Sequence, residues 1–148
     1  MSIDGITNSN VSKLTCAVTS NSSVPIGNAT NVQYTFPSPI LSYDPSNIYD
    51  GAGNFTPNVA GNYLVTAQIR YTDDTGGTAR ALQMYLNGSL YNNFTAFWTA
   101  DPSVGRATPI VTCTIPCNGT TDSISIYGYQ DSGDDLYMIW GVISIQQL

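Results

Sequence analysis

The sequence predicts an all-β domain, a β-sandwich or jelly roll of eight to ten short strands. Three observations carry that expectation. Apolar and polar residues alternate at every second position, and no stretch sustains a helical period. Clusters of Gly, Asn, Asp and Pro break the alternation at regular spacing, as turns between short strands do. The polarity comes from Asn, Ser, Thr, Gln and Tyr, with only 9% charged residues, and that mixture suits pleated surfaces and turns better than helices. At 148 residues and 42% hydrophobic, the chain holds one domain with a core of its own.

Residues 1–10 are polar and turn-like and read as an N-terminal arm, which leaves 11–148 as the domain. The first strands are expected at Lys13–Thr19, around Val24–Ile26 and at Val32–Phe36. Ile40–Tyr43 follows Pro37-Ser-Pro39, and a loop spans Asp44–Gly53. The clearest strand is Tyr63–Tyr71, with Tyr63, Val65, Ala67, Ile69 and Tyr71 on one face and Leu64, Thr66, Gln68 and Arg70 on the other. Asp73-Asp-Thr-Gly-Gly77 turns the chain into Ala79–Leu86, which ends at Asn87-Gly88. Further strands are expected at Tyr91–Thr99, Thr108–Ile115, Ser123–Tyr129 and Leu136–Gln146.

The last strand is unusual because both of its alternating sets are largely apolar. Ile139, Gly141, Ile143 and Ile145 make one set, and Met138, Trp140 and Val142 the other. A strand with one wet face carries polar residues there. Two apolar faces predict a central strand covered on both sides. With no helix to supply the second cover, a second copy of the chain is the expected one.

Charge excludes several functions. Ten acidic residues, all Asp, outweigh Lys13, Arg70, Arg80 and Arg106 for a net charge of −6. That balance offers no footprint for a phosphate backbone, so no nucleic acid is expected as partner. No apolar run approaches 18 residues, so no membrane partner is expected either. The first residues, Met1-Ser-Ile-Asp-Gly-Ile-Thr-Asn8, have neither a basic n-region nor an apolar h-region. They predict no secretory signal and synthesis in a cytoplasm. Three cysteines, Cys16, Cys113 and Cys117, are an odd number and argue against a disulfide framework. They are expected reduced and buried, with a local Cys113–Cys117 bridge as the alternative.

Catalysis lacks raw material, and no enzyme is expected. Without His there is no Ser-His or Cys-His pair, and a Ser–Lys dyad would depend on Lys13. The Asp73/Asp74 and Asp134/Asp135 pairs read as turn formers rather than glycosidase carboxylates. Asp131, Asp134 and Asp135 gather hard oxygen donors in one loop, a possible Ca²⁺ site without EF-hand spacing; the competing reading is an acidic surface loop with no cofactor. Zinc has no ligand pattern here. Tyr91, Phe94, Phe97 and Trp98 form an aromatic cluster, expected to divide between core and interface, with a sugar- or protein-contacting patch as the alternative.

The order of these landmarks resembles a known family. Gly53-Asn-Phe-Thr-Pro-Asn-Val-Ala-Gly-Asn-Tyr-Leu-Val65 is similar to the Gly-x-Phe-x-x-Pro-x-x-Gly-x-Tyr-x-Phe stretch of the complement 1q globular head, a tumour necrosis factor-like jelly roll. Gly53, Phe55, Gly61 and Tyr63 match, while Asn58 replaces the Pro and Val65 the final Phe. Leu82–Ser89, Asp122–Gln130 and Trp140-Gly-Val-Ile143 resemble three later strands in the right order. The resemblance implies a two-sheet antiparallel jelly-roll sandwich of about ten strands, assembled as a homotrimer. It assigns Tyr63, Val65, Met138, Trp140, Val142 and Ile143 to the trimer interface and core. Residues 1–10 carry no collagen-like Gly-x-y repeat, so no stalk is expected. Together with the charge-poor composition, this points to a phage virion version of the fold. The expected role is a capsid decoration or cement protein whose arm, through Ile3 and Ile6, grips the major capsid protein or other virion proteins. The alternative is a receptor-binding knob of a phage fibre recognising a host glycan or protein; a secreted cytokine-like or lectin-like ligand is a third reading.

Overall fold

The computed structural model describes residues 13–72, 76–99 and 107–148. The arm with Ile3 and Ile6, the Asp73/Asp74 pair and Arg106 lie outside the described residues. Within them every regular element is a strand. The strands are β1 (Lys13–Ser20), β2 (Val24–Ile26), β3 (Thr30–Gln33), β4 (Leu41–Tyr43) and β5 (Gly61–Tyr71), then β6 (Ala79–Leu86), β7 (Ser89–Thr99), β8 (Ile110–Cys117), β9 (Ile124–Gln130) and β10 (Leu136–Gln147). The first sheet runs β4-β1-β10-β5-β8, with β2 also paired to β10, and the second runs β3-β9-β6-β7. All pairings are antiparallel. This is the two-sheet, ten-strand jelly roll the sequence predicts.

Alternation builds the core. Tyr63, Val65, Ala67, Ile69 and Tyr71 of β5 all point between the sheets and are essentially inaccessible to water. Val111, Cys113, Ile115 and Cys117 of β8 do the same, while Ile110, Thr112, Thr114 and Pro116 face outward. From the second sheet Leu82, Met84, Ile124 and Ile126 meet them. The β6–β7 connection is two residues long. Asn87 and Gly88 both have positive φ, 53° and 75°, which makes a type I′ turn whose twist matches its strands.

The expected strand Val32–Phe36 is shorter than predicted. Pairing with β9 ends at Gln33; Tyr34 N–H still donates to Ile126 O at 3.0 Å, and then the chain turns inward with Phe36 at a φ of 48°. The bend delivers Tyr34 and Phe36 to an aromatic nucleus with Tyr49 and Phe55. Rings of Tyr34 and Phe36 meet edge-on at 5.0 Å, those of Phe36 and Phe55 at 5.7 Å, and Tyr49 stacks on Phe55 at 4.8 Å. Two glycines are fixed by this packing. A Cβ on Gly141 would fall on the Tyr34 ring, and one on Gly53, whose φ is +96°, would sit 2.9 Å from Thr35 Cα. Those close approaches explain the central Gly of β10 and the Gly that opens the Gly53–Val65 stretch.

All three cysteines are buried and free. Cys113 and Cys117 lie four residues apart along β8, about 13 Å in an extended strand, beyond the reach of a disulfide. The alternative of a local bridge is therefore excluded. Burial pushes the Cys16 thiol up to about 12 and those of Cys113 and Cys117 to about 11. The thiolate is the reactive species, so the folded protein at pH 8 should be inert to a disulfide-exchange reagent. Three thiols should titrate once denaturant is added; rapid labelling of the native protein would contradict this packing.

Candidate functional site

β10 lies inside the first sheet, paired on one edge with β1 and β2 and on the other with β5. Its register contains a bulge. Met138 lies opposite Tyr71 but Trp140 opposite Arg70, so one residue, Ile139, is extra. A bulge of this kind re-aims the side chains beside it. Met138 consequently turns inward with Gly141, Ile143 and Ile145, all buried, whereas Trp140 and Val142 face outward and are half-buried. This corrects the predicted division of the strand, which placed Met138 with Trp140 and Val142, and Ile139 with the opposite set. Of the residues expected at the trimer interface and core, Tyr63, Val65, Met138 and Ile143 belong to the subunit's own core. Only Trp140 and Val142 reach the outer face.

The outer face itself is mixed. Across the strands Val142 lies beside Gln68, and Gln68 beside Ile110, which is 55% exposed. The next row, Ser144, Thr66 and Thr112, is hydroxylated, with Thr66 and Thr112 hydrogen-bonded at 3.2 Å. An apolar end therefore passes into a Ser/Thr middle, and the face is not apolar throughout as the strand's composition suggested. At the apolar end Asn21, Arg70, Thr108, Ile139 and Trp140 line a groove of about 520 Å³. Arg70 has no hydrogen-bond or ion-pair partner among the described residues. Sequence reading missed its significance, because a polar residue at an outward strand position looks like ordinary solvation.

The acidic loop does a different job from the one its composition suggested. Asp131 accepts hydrogen bonds from Thr78 N–H at 2.8 Å, Thr78 Oγ1 at 2.7 Å and Ala79 N–H at 2.7 Å. It also lies 3.8 Å from Arg80, whose buried guanidinium donates to Ala79 O and Gly76 O. Asp134 contributes its backbone oxygen to Gln130 Nε2 and Ser132 Oγ, and its carboxylate, like that of Asp135, belongs to an exposed residue. The three carboxylates are not brought together, and no metal-ligating group of three His, Cys, Asp or Glu forms among the described residues. Asp131 is a clamp that ties the start of β6 to the end of β9.

The aromatic cluster on β7 also differs from expectation. Four residues, Tyr91 to Phe94, stand opposite the single residue Met84, because pairing resumes only at Thr95. Asn92 and Asn93 hold positive φ in this bulge. Tyr91 packs against the core and stacks on Phe94 at 5.9 Å, while Phe94, Phe97 and Trp98 are all exposed. The core share falls to Tyr91, and the bulge is the reason.

Comparison with models of known protein families and with curated protein sequences returns no match. Solved structures do match along nearly the whole chain. Vertex protein P5 of PRD1 superposes with a TM-score of 0.60 at 15% identity, covering 91% of this chain and 98% of that one. Eiger TNF from S. frugiperda gives 0.61 at 11% identity, covering 92% and 93%. Murine APRIL gives 0.59 at 12% identity, covering 90% and 98%. These similarities establish a tumour necrosis factor-like jelly roll and, at such identities, the fold alone.

The Asp131 clamp is directly testable. Hydrogen bonds from the Thr78 side chain, then from backbone N–H groups, hold the Asp131 carboxyl below the usual aspartate range. Its stabilisation is therefore complete above the unfolded value of about 4 and is lost only as pH falls through the lower folded value. Asp131→Asn should reduce stability near pH 7 by about 1–3 kcal/mol in urea denaturation. An unchanged midpoint would show that the clamp carries no weight.

Proposed function

We propose that this chain is a non-enzymatic structural virion protein. In this reading three copies associate through the outer face of the first sheet, around β10, and the trimer decorates or cements a phage capsid through residues 1–10, with Ile3 and Ile6 as the gripping side chains. The observation that carries the reading is the outward pair Trp140 and Val142 on a central strand, continued by Ile110 and set beside Arg70, which has no partner among the described residues. Apolar side chains with a cation at their edge are what a polar-rimmed protein interface buries. The similarity to a vertex protein, PRD1 P5, supports the virion role, and the jelly rolls of Eiger and APRIL support a shared plan of assembly.

The Ser/Thr middle of the face suits hydroxyl contacts between copies and leaves the apolar end as the anchor. Partners are thus further copies of the chain first, and the major capsid protein or other virion proteins through the arm. A fibre-tip knob recognising a host glycan or protein would use the same trimer with a different attachment, so the arm separates the two roles. Removal of residues 1–10 should leave the trimer intact and abolish its binding to purified capsids of the encoding virus. Capsid binding that survives the deletion would contradict the role given to the arm, and a trimer that binds host cells or glycans rather than capsids favours the knob.

The bulge provides a sharper test of the assembly. Val142→Asp places a charge on the outer face only, and should give a folded monomer by sedimentation with its β-sheet circular dichroism preserved. Ile143→Asp, one residue further, puts the charge into the core and should unfold the subunit. A trimeric Val142→Asp variant would contradict the proposed interface.

A further inference from the structure

The opposite sheet carries a face that the assembly reading leaves unused. On β6, Leu82 and Met84 point into the core, so Ala81, Gln83 and Tyr85 point out. Two ladders cross all four strands of that sheet. One joins Gln33, Tyr127, Gln83 and Thr95; the other joins Asn31, Tyr129, Ala81 and Phe97. Tyr85 stacks on Tyr127 with ring centroids 4.0 Å apart, and Phe97 is 70% exposed.

Three properties distinguish this face. First, no outward strand position on it is charged, in a chain of net charge −6. Second, the hydroxyls of Tyr85, Tyr127 and Tyr129 have no hydrogen-bond partner among the described residues. Those of Tyr34, Tyr49, Tyr63 and Tyr71 each donate to a backbone carbonyl, whereas the hydroxyls of this face, like those of Tyr43 and Tyr137 on the other sheet, are left for solvent or a ligand. Third, Gln83 Oε1 is buried and has no partner among the described residues, and a buried acceptor left unpaired is costly unless something supplies its donor.

We infer that the outer face of the β3-β9-β6-β7 sheet binds a neutral glycan. A sugar ring presents an apolar C–H face and a rim of hydroxyls. Aromatic rings such as Phe97 and Tyr127 take the apolar face, since their surfaces are apolar with a weakly negative π cloud. Phenol hydroxyls and the amides of Asn31 and Gln33 both donate and accept, which matches hydroxyl groups, although Gln33 Nε2 also donates to Asn54 Oδ1 at 3.0 Å. A protein partner fits less well. The centre of a protein interface is an apolar anchor seated in a pocket, and the outward aliphatic side chain larger than Ala on this face, Leu90 opposite Tyr85, lies beside the β6–β7 turn rather than at the centre of the face. An anionic polysaccharide finds no cation on the face. The inference is independent of the trimer, which uses the other sheet.

Native-gel affinity electrophoresis of the full chain in a neutral glucan, a mannan, a galactan and a polyuronate tests it. At least one neutral polymer should retard the wild type, and the polyuronate should not. Phe97→Ala, on an exposed side chain, and Tyr127→Phe, which deletes only a hydroxyl, keep the fold; the first should weaken binding at least tenfold and the second measurably. Val142→Asp, a monomer in the assembly reading, should still be retarded by the same polymer, with binding weakened only by the loss of avidity among three sites, which separates this face from the assembly face. Absence of retardation in every neutral polymer, wild-type affinity in Phe97→Ala, or preference for the polyuronate would each overturn the proposal. So would binding to bacterial envelopes that depends on Phe97 yet survives periodate oxidation of their sugars, since that would assign the face to a protein.

Discussion

β10, twelve residues long, is paired with β1 and β2 along one edge and with β5 along the other, and Met138 and residues 141–147 have partners on both sides. A strand held in this way cannot slide, because a shift of one residue would exchange its core and outer faces. Its inner face is closed further by the contact of Gly141 with the Tyr34 ring, which couples the strand to the aromatic nucleus of Phe36, Tyr49 and Phe55. The register of β10 therefore determines which apolar residues belong to the subunit and which are left over. The residues left over are Trp140 and Val142.

The bulge at Ile139 is what makes that division. Without it Met138 would lie outside with Trp140, and the core would lose a buried side chain between the sheets. With it, the groove beside Arg70 forms at the point where the strand bends. The two sheets then present chemically different outer faces. The first is aliphatic and aromatic at one end and hydroxylated in the middle, and carries Arg70, which has no partner among the described residues. The second is uncharged, rich in tyrosine and amides, and has polar groups awaiting partners. A protein that associates with itself on one side and meets a different chemistry on the other needs such an asymmetry.

Much of the fold was legible in the sequence, because alternation is a local signal and β5 follows it without a break from Tyr63 to Tyr71. Asn87-Gly88 announced its turn for the same reason: few residue pairs accept positive φ twice in succession. The irregularities were not legible. Nothing in Met138-Ile-Trp140 marks a bulge, since all three residues suit either face. The four-residue bulge at Tyr91–Phe94 reads as ordinary strand, and Asn92 and Asn93 look like solvated polar positions. Asp131 resembled a cation ligand because its partners, Thr78 and Ala79, lie more than fifty residues away in the chain. Pairing over that distance has no local trace. The tyrosine face escaped notice because its ladders exist only across strands.

The central claim, that another copy covers the outer face of β10, is tested most directly through Trp140. In a Trp98→Phe variant it is the sole tryptophan, and its access to acrylamide can be measured beside the mass by sedimentation equilibrium. The account predicts three times the 15.8 kDa chain mass and an indole shielded from quencher. A species of single-chain mass at micromolar concentration, with Trp140 freely quenched, would contradict it.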